Sequence, residues 1–234
     1  MVTHAAAFPR RWTLLSLLAL LVCASCNVKP TAEWQKEFFD RQVAEVEAGN
    51  SDSIQLYDME NTDTLLHSVV GLGGVKWLVL SQTNVTNAGI ADVATLPDLT
   101  RLTFHSLRIK DEWLEILSSC PRLDELELCP RNHPVTFHIS KALALPHLRK
   151  LRLSIYVYRG DDEGDATRQT ADSVLADLEQ ATSLEELELD GLSFENRKPA
   201  LIALQQKLPN CKISLLSRVA NKEVSIPVTS FDEL

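Results

Sequence analysis

Residues 184–192 read LEELELDGL, and the six-residue core LEELEL, Leu-x-x-Leu-x-Leu, recurs along the chain. LTRLTF begins at Leu99, LDELEL at Leu123 and LRKLRL at Leu148; VKWLVL at Val75 has valine first. SIQLYD at Ser53 and CKISLL at Cys211 are weaker copies. Aligned on the second apolar position, the copies fall at Ile54, Leu78, Leu102, Leu126, Leu151, Leu187 and Ile213, at steps of 24, 24, 24, 25, 36 and 26 residues. A period in the twenties signals a stacked repeat.

The spacing inside one copy explains the stacking. In Leu-x-Leu both apolar side chains leave an extended strand on the same side, and the residues between them point the other way. A helical pattern follows each strand: Ile90, Val93 and Leu96; Leu114, Leu117 and Cys120; Leu201, Leu204 and Leu208. Steps of three and four make one apolar helix face. One strand and one helix enclose an apolar layer that stays open above and below, and a neighbouring copy closes it. Each buried leucine then contributes about 1.5–3 kcal/mol.

This repeat resembles the leucine-rich repeat family over about residues 51–217. VKWLVLSQTNVTNAGIADVATLPDL is similar to the cysteine-containing and ribonuclease-inhibitor-like classes, through its segment T-x-V-T-x-A-G-I. The resemblance implies an α/β, right-handed solenoid with a parallel sheet on its concave side and helices on its convex side. The copies depart from the family after the strand, where Thr83, Leu107 and Leu192 replace the usual Asn or Cys, and in the irregular exit CPRNHPVTFH.

The N-terminus reads as a signal for export. Arg10 and Arg11 precede an apolar stretch from Trp12 to Val22, and Ala24 and Ser25 precede Cys26. This is the layout of a secretory signal peptide over residues 1–25. Cys23-Ala24-Ser25-Cys26 resembles a bacterial lipoprotein signal, which implies a lipid on Cys26; simple secretion and an uncleaved anchor are the alternatives. Cleavage there removes two of 23 basic residues and none of the 32 acidic ones, so the net charge passes from -9 to -11. An acidic chain without a basic stripe argues against nucleic acid as a charge-driven partner. Cys120, Cys129 and Cys211 then remain, an odd number at irregular spacing and no disulfide framework.

Residues 26–50 read as a linker and a capping helix, with Trp34, Phe38, Val43 and Val46 on its apolar face and Gly49 at its end. A helix that binds a partner is the alternative. Residues 218–234 read as a tail, either an added strand or disordered.

Strand alternation predicts three outward rows with neighbours about 4.8 Å apart. The first is Ser53, Trp77, Arg101, Glu125, Lys150, Glu186, Lys212; the second Gln55, Val79, Thr103, Glu127, Arg152, Glu188, Ser214; the third Tyr57, Ser81, His105, Cys129, Ser154, Asp190, Leu216. From Arg101 onward, basic strands alternate with acidic ones. Such a ladder fixes strand neighbours and keeps the face soluble, or else forms a charged binding surface. Towards the N-terminal end, Tyr57, Trp77 and Val79 beside Arg101, with His105 in the third row, form the expected partner surface, since Tyr, Trp and Arg are enriched at binding hot spots. The alternative for Trp77 is cover by the capping helix.

Candidates for chemistry are few. His105 and Cys129 fall side by side in the third row, a pairing that can activate a thiol, but an open sheet offers no oxyanion pocket. Cys129, His133 and His138 match no familiar zinc spacing. Asp161, Asp162, Glu163 and Asp165, in the insertion 156–170, lack the spacing of a calcium loop. No metal, cofactor or catalytic residue is therefore expected. The resulting expectation is a non-catalytic protein-interaction or scaffolding module, lipid-anchored in a bacterial envelope, with a protein or peptide partner. Its rivals are an intracellular adaptor similar to the F-box-linked repeat proteins, a eukaryotic lumenal protein suggested by the terminal FDEL, and a Cys/His-dependent enzyme.

Overall fold

Each copy of the apolar-x-apolar motif forms a strand, and each following apolar face forms a helix. The computed structural model describes residues 31–130, 137–154, 171–190, 194, 197–219 and 222–233. The described elements are α1 (Ala32–Glu47), β1 (Ser53–Tyr57), α2 (Thr62–His67), β2 (Trp77–Ser81), α3 (Asn87–Val93), β3 (Arg101–His105), α4 (Asp111–Leu117) and β4 (Glu125–Cys129). They continue with α5 (Ile139–Leu143), β5 (Lys150–Leu153), α6 (Ala171–Leu178), β6 (Glu186–Asp190), α7 (Lys198–Lys207), β7 (Lys212–Val219), β8 (Lys222–Pro227) and a closing 3-10 helix, Val228–Glu233. The chain divides into two units, Met1–Phe38 and Phe39–Leu234, and the boundary falls inside α1.

In the second unit the strands form one sheet in the order β1 to β8. β1 to β7 are parallel, and β8 returns antiparallel to β7. The architecture is therefore α/β, a mostly parallel eight-stranded sheet whose strands alternate with helices. The register is the one that the repeat spacing predicts. Ile54, Leu78, Leu102, Leu126, Leu151, Leu187 and Ile213 are cross-strand partners in one line. Leu56, Leu80, Phe104, Leu128, Leu153, Leu189 and Leu215 make a second line. Both lines are buried. The helix residues Ile90, Val93, Leu114, Leu117, Leu201 and Leu204 are buried as well, together with Leu96, Cys120 and Leu208 beyond the helix ends. Trp113, Phe137 and Phe194, which the leucine pattern does not single out, join this core. The Trp113 ring lies 5.6 Å from that of Phe104.

A backbone device repeats with the strands. The Asp52 carbonyl accepts from the amides of Lys76 (2.8 Å) and Trp77 (3.0 Å), and the Lys76 carbonyl accepts from Thr100 (3.0 Å) and Arg101 (2.9 Å). Thr100, Asp124 and Arg149 each do the same one repeat further on. This pairs the backbone amides where β2 to β6 begin. At the other end of the first three strands, Asp58, Gln82 and Ser106 take φ of 49°, 51° and 54°. Their amides donate to the carbonyls of Ser81, His105 and Cys129, at 3.0, 3.1 and 2.7 Å. The turn after these strands is thus a left-handed residue placed one position after the last outward side chain. It carries no glycine, so sequence gave no sign of it.

The helices are joined by carboxylates. Asp63 in the first turn of α2 accepts from the amide (2.9 Å) and hydroxyl (2.5 Å) of Thr86, the N-cap of α3. Asp111 likewise accepts from the His138 amide at 2.7 Å, and Asp172 accepts from Arg197 at 2.6 and 3.1 Å. Gly89 makes the first of these possible. A Cβ there would lie 2.3 Å from the Asp63 Oδ1 and 2.9 Å from the Val85 Cγ2.

Within the second unit, Gln42 of α1 covers the free edge of β1. Its side chain accepts from the Gln55 amide (2.8 Å) and donates to the Gln55 carbonyl (3.0 Å). The buried apolar residues of α1 are Phe39 and Val46, not the expected set of Trp34, Phe38, Val43 and Val46: Trp34 is 40% exposed and Phe38 and Val43 are half-buried. The helix is rotated from the expected phase because Phe39 and Gln42 share its inward side. At the C-terminal end, β7 runs to Val219 and β8 pairs with it, so of the two expectations for the tail the added strand is the one found. The signal segment, Cys26, His133 and the 156–170 insertion lie outside the described residues.

Candidate functional site

The register that aligns the interior also aligns the opposite face. Trp77 stands beside Arg101, Arg101 beside Glu125, Val79 beside Thr103, and His105 between Ser81 and Cys129. All five residues expected to meet a partner, Tyr57, Trp77, Val79, Arg101 and His105, therefore lie on three adjacent strands.

Trp77 is the centre of a fixed arrangement. The Arg101 guanidinium carbon lies 4.4 Å from the Trp77 ring centroid, within cation–π range. The indole Nε1 donates to the Thr103 hydroxyl at 3.2 Å, and that hydroxyl donates to Glu127 at 3.3 Å. The Arg101 Nε sits 3.0 Å from the Glu125 Oε1, close enough for an ion pair but off the line of a hydrogen bond. Its NH2 lies 3.6 Å from Glu127. Trp77 remains half-buried, so part of its ring faces solvent in a held orientation. Tyr57 is also half-buried, and burial, followed by the charge of Glu127, raises its phenol above the ordinary range.

Val79 is a correction. It is only 4% exposed and offers a partner almost nothing. Trp77 lies two residues before it on the same face and Tyr57 sits diagonally across on β1, and large side chains on a shared face shelter a small one between them. Thr103 and Ser81 are buried on the same face for the same reason. The accessible set reduces to Tyr57, Trp77, Arg101 and His105.

Beyond Arg101 the alternating charges pair laterally. Glu127, with a side chain 16% exposed, lies between Arg101 and Arg152, the latter at 3.5 Å. Arg152 also approaches Glu188 at 3.9 Å, and Glu186 lies between Lys150 (3.6 Å) and Lys212 (3.2 Å). Ser154 donates to Asp190 at 2.6 Å. This face neutralises itself, so it has little field with which to attract a charged ligand from a distance.

His105 and Cys129 are cross-strand partners, as the spacing predicts. Cys129 is 4% exposed, however, and the His105 Nδ1 is engaged by the hydroxyls of Ser81 (3.0 Å) and Ser106 (3.2 Å). A sheltered thiol beside an occupied imidazole nitrogen is poorly placed to attack a substrate. Burial raises the Cys120 thiol, and burial with the nearby Glu186 raises Cys211 to about 11. Both are core cysteines. Among the described residues no cluster of His, Cys, Asp and Glu has the arrangement of a metal site, and no helix is long and apolar enough to cross a membrane.

No protein-family model and no curated protein matches the chain.

Proposed function

We propose that this chain is a leucine-rich repeat protein, a right-handed solenoid with the sheet on its concave side, that serves as a non-catalytic interaction or scaffolding module. We further propose that it is exported, lipid-anchored through Cys26 and held at a bacterial envelope. The repeat reading is supported by the two in-register interior lines and by the carbonyl device at the starts of β2 to β6. The right hand follows from the rule that about 98% of parallel crossovers take it. The anchoring reading rests on the sequence of residues 1–26.

The binding reading rests on one observation: Trp77, a large aromatic, is held half-exposed by Arg101 and Thr103 before any partner arrives. A pre-oriented aromatic loses little freedom on binding, which favours affinity. Tyr57, Arg101 and His105 surround it as rim contacts for a protein or peptide. Because the neighbouring ladder is self-neutral, the partner is recognised by shape and apolar contact more than by charge. In a pull-down from the native envelope, Trp77→Ala should lose the captured partner while its circular dichroism stays that of the parent. Undiminished capture by the folded variant would remove Trp77 from the interface.

A further inference from the structure

The described part of the first unit carries a stacked aromatic pair, an exposed tryptophan on a half-buried phenylalanine. Trp34 and Phe38 are one helical turn apart in α1, and their rings stack with centroids 5.3 Å apart and planes inclined by 9°. The Thr31 hydroxyl accepts from the Trp34 amide at 3.3 Å, which caps the helix at this turn. Trp34 keeps 40% of its surface exposed, the more notable because among the described residues only Val70 is another large hydrophobic so exposed. Trp34 lies eight positions after Cys26. Even fully extended, that stretch of chain reaches at most about 26–29 Å. With acyl chains on Cys26, the indole is confined to the neighbourhood of the headgroups. Tryptophan favours that layer because its ring is apolar and its N–H finds a polar partner there.

Charge indicates which lipid. Between Asn27 and Phe38, Lys29 and Lys36 balance Glu33 and Glu37, and the chain from Cys26 onward carries -11, from 21 basic and 32 acidic residues. There is no attraction to an anionic surface and there is overall repulsion from one. We infer that Trp34, backed by Phe38, is a second membrane contact that docks in the headgroup layer of electrically neutral phospholipid. This inference rests on the lipid anchor at Cys26 proposed above. It gives the chain a two-point attachment.

The test uses the mature chain purified from the envelope and placed in phosphatidylcholine vesicles whose acyl chains carry bromine close to the glycerol. Mass spectrometry first reads the mass of the N-terminal peptide. Bromine should quench the tryptophan emission of the parent, and Trp34→Phe should abolish most of that quenching while Trp77 and Trp113 report an intact fold. Adding anionic lipid should not strengthen it. Equal quenching in parent and variant, or none in a chain shown to be lipidated, overturns the docking and leaves the anchor standing. Quenching that requires anionic lipid overturns the assignment to neutral headgroups. A mature chain without lipid on Cys26 overturns the anchor itself, and the docking with it.

Discussion

Gly89→Ala should destabilise this protein, although glycine inside a helix is normally the poorer choice. In an open helix interior the substitution gains about 1 kcal/mol. Here the new Cβ would fall 2.3 Å from the Asp63 Oδ1, which cannot be tolerated, and 2.9 Å from the Val85 Cγ2. The carboxylate must swing away and release the amide and hydroxyl of Thr86. Hydrogen bonds to a charged group contribute about 1.5–3 kcal/mol each, and their surface position puts these two at the lower end. Loss of both, less the helical gain, leaves a net cost of about 1–3 kcal/mol. For a chain of this size each kcal/mol corresponds to about 2–4 °C in Tm. The assay is urea unfolding followed by circular dichroism, on a double-mutant cycle with Asp63→Ala. With Asp63 removed only the Val85 contact opposes the new methyl, so Gly89→Ala should cost at least about 1 kcal/mol less in that background. A Gly89→Ala protein as stable as the parent would refute the reasoning. So would an equal cost in both backgrounds, because the carboxylate would then not be what requires glycine.

Other perturbations test other parts of the fold. Gln82 has φ of 51°, a region costly for a side chain branched at Cβ, so Gln82→Val should lower stability by about 1–2 kcal/mol and Gln82→Gly should not; thermal melts of both variants decide it. Glu127→Ala removes the acid that separates Arg101 from Arg152, so it should cost about 1–2 kcal/mol by urea titration, and added salt should recover part of the loss by screening the two arginines. The Cys211 thiol, raised from 9.0 to about 11 in the fold, stays protonated where the unfolded chain ionises. Its contribution to stability is complete below about pH 9 and is lost as pH rises towards 11. Unfolding midpoints at pH 8 and pH 10.5 should therefore separate more for the parent than for Cys211→Ala.

The interior was legible because its signal is arithmetic. Steps of 24 between Ile54, Leu78, Leu102 and Leu126 leave no choice of neighbour, and a slip by one residue would turn every leucine outward. The charge ladder follows from the same spacing, which by itself puts Arg101, Glu127 and Arg152 on neighbouring strands. Exposure on that face was less legible. Alternation assigns Val79 to the outside, but whether it meets solvent depends on the reach of the side chains around it, which pattern does not encode. The phase of α1 failed for a related reason. Apolar spacing permitted Phe38 or Phe39 inward, and the polar Gln42, bonded to the edge of β1, lies on the side that Phe39 shares. Gly89 and the left-handed Gln82 are tertiary facts. One answers to a carboxylate 26 residues earlier, and the other carries no residue preference that marks it.

The two edges of the sheet bear on how such a chain can lengthen. At one margin the main-chain groups of Gln55 are already occupied by a glutamine side chain, and at the other β8 doubles back over β7. A ladder left bare at either margin would recruit the next copy of itself and grow into fibres. A new parallel unit appended at either end would have to displace Gln42 from β1 or β8 from β7. Spliced between existing ones, it displaces neither, and there the carbonyl of one strand start already receives the amides of the next. Gain or loss of whole units in the middle, with the terminal pieces kept, is the route by which this architecture can change its length and keep those end pairings.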